Sequence, residues 1–295
     1  MLTDKNVASQ DSKPSALVTG IHGFTGKYVA EELEKLGFEV FGTSHAEEPT
    51  DLKITRVDLR NAKAVRNLVE QIQPEVVIHL AAISFVGHED VSEMYEMNIV
   101  GTRNLLSALA NLAVKPKSVV LASSANIYGN STFDPISELA PAKPTNDYAV
   151  SKLAMEHMAM LWVDQLPITI ARPFNYTGVG QSSKFLIPKI VGHFKSGADV
   201  IELGNTQIAR DFSDVRTVSW VYGQLALNPA PGEIFNVASG ISTSLGVIVD
   251  LLRTKSGHDI EVKSVESLKR TGEVISLRGD ATKLWTHIGE PPKIS

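Results

Sequence analysis

Tyr148 and Lys152 lie four residues apart in a stretch of helical spacing, so their side chains share one face. A free phenol titrates near pH ~10, and an ammonium beside it favours the phenolate and draws the pKa toward working pH. A phenol tuned in this way can give a proton to a carbonyl or take one from an alcohol. Tyr-x-x-x-Lys also arises by chance as a solvated surface pair, so the pairing needs company. Ser123 and Ser124 supply it by closing an apolar run that reads as a buried strand. Ligands of doubly wound folds bind at such strand ends, where a hydroxyl can hold a substrate oxygen. The plainer reading of Ser124 is a helix or turn cap.

A second group of residues fits a nucleotide. Gly20-Ile-His-Gly23-Phe-Thr-Gly26 follows the first apolar run and opens a helical one. Glycines at that junction allow a tight turn, close approach of the backbone to a pyrophosphate, and a helix N-terminus aimed at the phosphates. His22, inside the turn, reads as a phosphate neighbour or a solvated side chain. The second strand ends Thr43-Ser44-His45, without the carboxylate that would accept from a ribose 2′-hydroxyl and repel a 2′-phosphate. NADP(H) is therefore the expected cofactor, with NAD(H) as the alternative. Asp58-Leu59, at the end of the third strand, either receives the adenine amino group or caps the next helix.

These residues need a scaffold that brings strand ends together. Apolar runs at Ala16–Thr19, Glu39–Gly42, Ile54–Val57, Val76–Leu80, Ser118–Ser123 and Ile168–Arg172 alternate with helical stretches at Gly23–Leu36, Asn61–Ile72, Val91–Leu112 and Asp147–Leu166. Asn61 and Asp147 are the expected N-caps. The pattern predicts an α/β fold: a doubly wound parallel Rossmann sheet over 15–173, after a disordered polar tail at 1–14. Beyond Arg172 the regularity weakens, and 174–295 reads as a smaller C-terminal α/β substrate lobe, with some crossing of the chain between the two.

Composition removes other classes. The net charge of −5 and the scattered basic residues argue against nucleic acid as a partner. No apolar run reaches the roughly 18 residues of a membrane helix, and the N-terminus lacks the apolar centre of a signal peptide. The absence of cysteine excludes disulfides and thiolate metal sites and fits the cytoplasm. No metal is called for.

On these residues the chain resembles the extended short-chain dehydrogenase/reductases of the NAD-dependent epimerase/dehydratase family that modify nucleotide sugars. The shared marks are the glycine turn, His79-Leu-Ala-Ala82, Asn98-Ile-Val-Gly-Thr102, Ser123-Ser-Ala-Asn-Ile-Tyr-Gly129, Tyr148-x-x-x-Lys152 and Arg172-Pro-Phe-Asn175. The resemblance implies a catalytic trio of Ser124, Tyr148 and Lys152, with Tyr148 and Lys152 also meeting the cofactor. Gly20, His22, Gly23, Phe24, Thr25, Gly26, Ser44, His45, Asp58, Leu59, Leu80, Ala81 and Ala82 would line the rest of the cofactor site. Asn98 would support the site from within.

The 4,6-dehydratases of this group carry acids just after the catalytic hydroxyl. Ala125-Asn126 stands there instead, which leaves reductase and 4-epimerase. Asn175-Tyr-Thr-Gly-Val-Gly-Gln181, Ala209-Arg-Asp-Phe-Ser-Asp-Val215 and Arg270-x-x-Glu273 are similar to segments of the GDP-4-keto-6-deoxy-mannose reductases. That likeness implies substrate contacts from Ser84, Asn126, Asn175, Arg210, Arg270 and Glu273, with both arginines on phosphate oxygens. The plainer readings are a surface ion pair of Arg210 with Asp211, a solvated Arg270 and a turn-forming Asn175. The expected activity is NADPH-dependent reduction of a nucleotide-diphospho-6-deoxyhexose at a 4-keto group, with GDP-rhamnose as product, in a homodimer. An NAD-dependent 4-epimerase and a non-catalytic dinucleotide sensor are the rivals.

Overall fold

The computed structural model describes residues 13–45, 51–84, 90–266 and 276–294. Strands β1 (Ser15–Thr19), β2 (Glu39–Ser44), β3 (Ile54–Arg56), β4 (Val76–His79), β5 (Ser118–Ala122) and β6 (Ile168–Pro173) form where the apolar runs predict them. With a later strand, Ile234–Val237, they make a seven-stranded sheet, all parallel, in which β3, β2, β1, β4, β5 and β6 follow one another and the late strand pairs with β6. Strand order reverses between β1 and β4. The resulting crevice at the carboxyl edge is where such sheets bind ligands.

β1, β4, β5 and β6 are almost wholly buried, because helices cover both faces. On one face α1 (Phe24–Lys35) and Val215–Leu227 pack over Val18, Ile78 and Val120. On the other, α2 (Ala62–Ile72), α4 (Thr102–Ala110) and α5 (Asp147–Met160) pack over Leu17, Val77 and Val119. The crossing between lobes is thus substantial: the segment from Val215 to Val237 belongs to the large sheet although it lies beyond residue 173.

Two helix expectations need correction. The helix expected over Val91–Leu112 is three pieces: α3 (Val91–Tyr95), a π-helical turn (Glu96–Gly101) and α4. The wide turn carries Asn98, whose amide accepts from Ile83 N at 2.9 Å and donates to Ile83 O at 3.1 Å and to Ser151 Oγ at 2.9 Å, so one side chain joins three segments. The cap of α5 is Asn146, which accepts from Ala149 N at 2.9 Å; Asp147 instead accepts from the Tyr95 hydroxyl at 2.9 Å. Asn61 caps α2 as expected, accepting from Ala64 N at 3.1 Å.

The remaining chain builds two small units. In one, β9 (Ala209–Asp214) pairs with β7 (Asn175–Thr177), with Ser242–Ser244 and with Ser276–Leu277. In the other, Val200–Leu203 and Glu261–Ser264 pair in parallel beside helices Leu186–Lys195 and Leu245–Ser256, around a separate core that includes Ile190, Ile201 and Ile260. Residues 1–12 of the expected tail lie outside the described residues.

Candidate active site

β5 ends at Ala122, and the chain turns through Ser123 and Ser124 into a short 3-10 helix, Ala125–Tyr128. Ser124 caps that helix, accepting from Asn126 N at 3.2 Å, so the cap expected of it is real. Its hydroxyl also lies close enough to the Tyr148 phenol to favour the ionised form of that phenol. Tyr148 enters from the first turn of α5, and Lys152 lies one turn further on. Only 4 % of Lys152 is exposed, and its ammonium donates to Ala122 O at 2.7 Å. The structure thus brings the three side chains together at the carboxyl end of β5.

Their electrostatics differ from the sequence expectation. Burial pushes the Tyr148 phenol above its ordinary range, the nearby Tyr176 phenol adds to that rise, and the Ser124 hydroxyl opposes it. The expected lowering of Tyr148 by Lys152 is therefore overturned in the polypeptide by itself: desolvation raises the phenol, and the ammonium, held on Ala122 O, is not among the groups that act on it. Burial also lowers Lys152, to about 8, against a raising influence from Glu156. His79, hydrogen-bonded to Thr19 at 2.7 Å and Thr102 at 2.8 Å, is brought down to about 3 by burial and then by Lys152, and so is neutral at working pH.

The glycine turn joins this corner through side chains that sequence reading did not single out. Tyr176 of β7 shares a 2.8 Å hydrogen bond with Thr25 and stacks on Phe24 at 6.1 Å between ring centres. Gly20 has φ +72°, and a Cβ there would stand 3.0 Å from Ala81 Cα. A Cβ on Gly26 would stand 2.3 Å from Gly20 O, so a side chain at either position would clash with backbone. Thr19 Oγ1 accepts from Leu80 N and Ala81 N, both at 3.2 Å, which fixes the end of β4 beside the turn. This tight backbone cradle fits a dinucleotide, with α1 opening directly behind it.

At the far end of the cradle, His22 Nδ1 and Ser44 Oγ are 3.1 Å apart, and His45 is exposed. Asp58 does not cap α2. Arg60 clamps its carboxylate instead, at 2.8 to 3.0 Å, and holds its pKa below the usual carboxylate range. Leu59 is 2 % exposed and packs in the core, so its side chain is a wall rather than a polar contact. One cation escaped the sequence reading: Arg56 pairs in register with Ser44, because β3 lies next to β2. Adjacent strands bring the two together, and no local motif marks the pair.

Among the expected substrate contacts, Ser84, Asn126 and Asn175 are exposed. Asn175 begins β7 and is not in a turn. Arg210 is half-buried on β9 and donates to its own strand at Ala209 O, 2.8 Å away. A surface ion pair with Asp211 is overturned, because Asp211 is fully buried and its oxygens accept from Ser239 N, Ser239 Oγ, Gly240 N and Gly279 N at 2.6 to 3.2 Å. Arg270 and Glu273 lie outside the described residues.

A family model described as the NAD dependent epimerase/dehydratase family matches residues 16–238. Among curated relatives, the GDP-6-deoxy-D-talose 4-dehydrogenase of Aggregatibacter actinomycetemcomitans is 36% identical over 274 residues, covering 92% of this chain and 90% of that protein. A crystal structure from Burkholderia cenocepacia J2315, which carries the provisional name of an epimerase, superposes with a TM-score of 0.90 at 46% identity over 95% of this chain and 94% of that one. The RMD protein of Pseudomonas aeruginosa, solved in complex with NADPH, gives 0.83 at 29% identity over 96% and 93%.

Proposed function

The chain is an enzyme that belongs to the NAD dependent epimerase/dehydratase family, and from that premise we propose that it is an NADPH-dependent 4-ketoreductase of a GDP-linked 6-deoxyhexose, working in the cytoplasm. The observation that carries the reading is the convergence of Ser124, Tyr148 and Lys152 at the carboxyl end of β5, where Lys152 donates to Ala122 O, followed by Ala125-Asn126 where a dehydratase would need acids. Gly20, Gly23, Gly26 and the first turn of α1 would hold the pyrophosphate, and Ser44, His45 and Arg56 the 2′-phosphate. A reduced nicotinamide supplies hydride to C4 when bound. Tyr148 gives its proton to the sugar O4 as negative charge develops there, and Ser124 holds that oxygen in place. Lys152 offsets the charge left on the phenol, which makes a proton that burial holds tightly easier to release. Arg210 and Asn175 would grip the diphosphate, and that remote grip orients the sugar.

The relative at 36% identity is named for a GDP-linked 6-deoxytalose and for carbon 4. Talose and mannose differ only at that carbon, so one 4-keto compound yields GDP-rhamnose or GDP-6-deoxy-talose according to the face that receives hydride. GDP-4-keto-6-deoxy-mannose is therefore the substrate of choice, and NMR of the product assigns the face. A second reading, 4-epimerase, takes support from the Burkholderia structure at 46% identity. Stoichiometry separates them. A reductase consumes one NADPH per product, seen as loss of the reduced nicotinamide's absorbance. Turnover with no net change in absorbance means epimerase, and thermal-shift titration with GDP, dTDP, UDP and CDP tests the base.

We assign the homodimer contact to the outer face of α3 to α5, where Val91, Val100, Val150 and Leu161 are exposed. Light scattering at micromolar protein checks the mass, and Leu161→Glu should return a monomer.

A further inference from the structure

Tyr148, Lys152 and Glu156 recur at four-residue spacing along α5, and all three are buried. The proposed chemistry uses the first two and leaves the third without a role. Glu156 is nevertheless the most tightly held carboxylate of this corner. Arg172 Nε donates to its Oε1 at 2.9 Å and Arg172 Nη2 to its Oε2 at 2.6 Å, while the Ser123 hydroxyl also donates to Oε1. Arg172 is fixed in turn: Nη1 donates to the Tyr128 hydroxyl at 2.8 Å, which itself donates to Asn236 Oδ1 at 2.7 Å.

A buried ion pair stabilises a fold no better than well-packed apolar side chains of the same volume, so stability gives little reason for this one. Its position suggests another reason. Glu156 reaches the end of β5 through Ser123, the neighbour of Ser124, and stands one helical turn from Lys152. We propose that Glu156, clamped by Arg172, is a positioning residue that keeps Lys152 an ammonium inside a buried corner and fixes the strand end carrying Ser124. The inference rests on the reading of Lys152 as the cation that serves Tyr148.

The surroundings leave this task to Glu156. Burial lowers Lys152 to about 8, and Glu156 is the group that opposes the fall. From β4 Lys152 meets His79, neutral at working pH. Around Glu156 itself stand Tyr128 of the 3-10 helix, whose phenol burial pushes up to about 12, and the cationic Arg172 of β6. The π-helical turn brings the uncharged Asn98, and α5 itself the protonated Tyr148. Replacing Glu156 by a neutral residue leaves the ammonium without that compensating charge.

The test compares Glu156→Gln, Glu156→Asp, Arg172→Met and the double variant Glu156→Gln/Arg172→Met, which removes both charges and keeps the protein foldable if the single change strands Arg172. The midpoint of Lys152 is read by 15N-lysine NMR titration of the whole chain, with Lys152→Arg identifying the signal. The kcat profile against pH is read alongside it. We expect the midpoint to fall by about one unit in Glu156→Gln, and by less in the double variant, which also removes the repulsion of Arg172. The alkaline limb of kcat should move by the same amount, and Glu156→Asp should restore most of both. An unchanged midpoint in folded Glu156→Gln, or a midpoint in the double variant no lower than in Arg172→Met alone, overturns the proposal. A midpoint that moves while the alkaline limb stays fixed upholds the action of Glu156 on Lys152 and overturns the reading of Lys152 as the catalytic cation.

Discussion

Glu156 and Asp211 are both buried carboxylates satisfied by several donors, yet the donors differ in kind. Asp211 takes three backbone N–H groups, from Ser239, Gly240 and Gly279, besides the Ser239 hydroxyl, so its charge mainly ties the path of the chain together in the smaller lobe. Glu156 takes a guanidinium and a hydroxyl from the two strands whose ends form the reacting corner. Backbone donors cannot be mutated away or rearranged without moving the chain, so a carboxylate on them is a structural rivet. Side-chain donors carry charge of their own, and a carboxylate on them sets the local field. The corner of the large sheet is accordingly buried and set by side-chain charges, as the proposed chemistry needs. The lobe presents half-buried Arg210 and exposed Asn175 on a riveted frame, suited to gripping a partner that comes and goes.

That contrast breaks most sharply at Tyr148. Tyr148→Phe removes the proposed proton donor and leaves the fold alone, so kcat should fall by about 10³-fold with nucleotide binding and melting temperature unchanged. Turnover within a few-fold of the parent enzyme would remove the corner from the chemistry. Asp211→Ala should do the opposite, costing about 3 kcal/mol of stability as its donors lose their acceptor, with kcat preserved in the protein that remains folded. Denaturant unfolding measures the loss, and a kcat that falls with stability intact would erase the distinction between the two carboxylates. Arg210→Met should raise the KM of the GDP-sugar by about 10- to 50-fold with kcat held within a few-fold, because a guanidinium–phosphate contact acts equally in ground and transition states. A kcat effect as large as the KM effect would move Arg210 from grip to chemistry.

Six of the seven strands of the large sheet were legible because their signals are local, whereas the seventh, Ile234–Val237, lies in the segment read as the smaller lobe. Buried parallel strands are continuous apolar runs, and the glycine turn, Ser124 and the four-residue step from Tyr148 to Lys152 lie within short stretches of chain. The π-helical turn was not legible, since Asn98 widens the helix to meet Ile83 and Ser151 across the fold, and helical periodicity does not carry that information. Tyr176, Glu156 and Arg172 escaped for the same reason: each matters through a partner far along the chain, Thr25 for the first and each other for the last two. The direction of the Tyr148 pKa failed differently. Helical spacing placed the ammonium on the same face but revealed neither the depth of burial nor that Lys152 is held on Ala122 O, and burial raises the phenol.

The smallest effect concerns a pair that only strand order creates. Arg56 ends β3 in register with Ser44, whose hydroxyl lies 3.1 Å from His22 at the rim of the glycine turn. A 2′-phosphate bound there would meet an exposed guanidinium, and an exposed ion pair is worth at most about 1 kcal/mol. Arg56→Ala should therefore raise the KM for NADPH by about five-fold and leave that for NADH where it was. Equal changes for both cofactors would assign Arg56 to folding, and no change for either would assign it to solvent. A parent enzyme that already favours NADH would show that the lack of a carboxylate at Thr43-Ser44-His45 does not by itself select NADPH, so that this end of the cradle, like the lobe, would take its specificity from residues that sequence patterns do not mark.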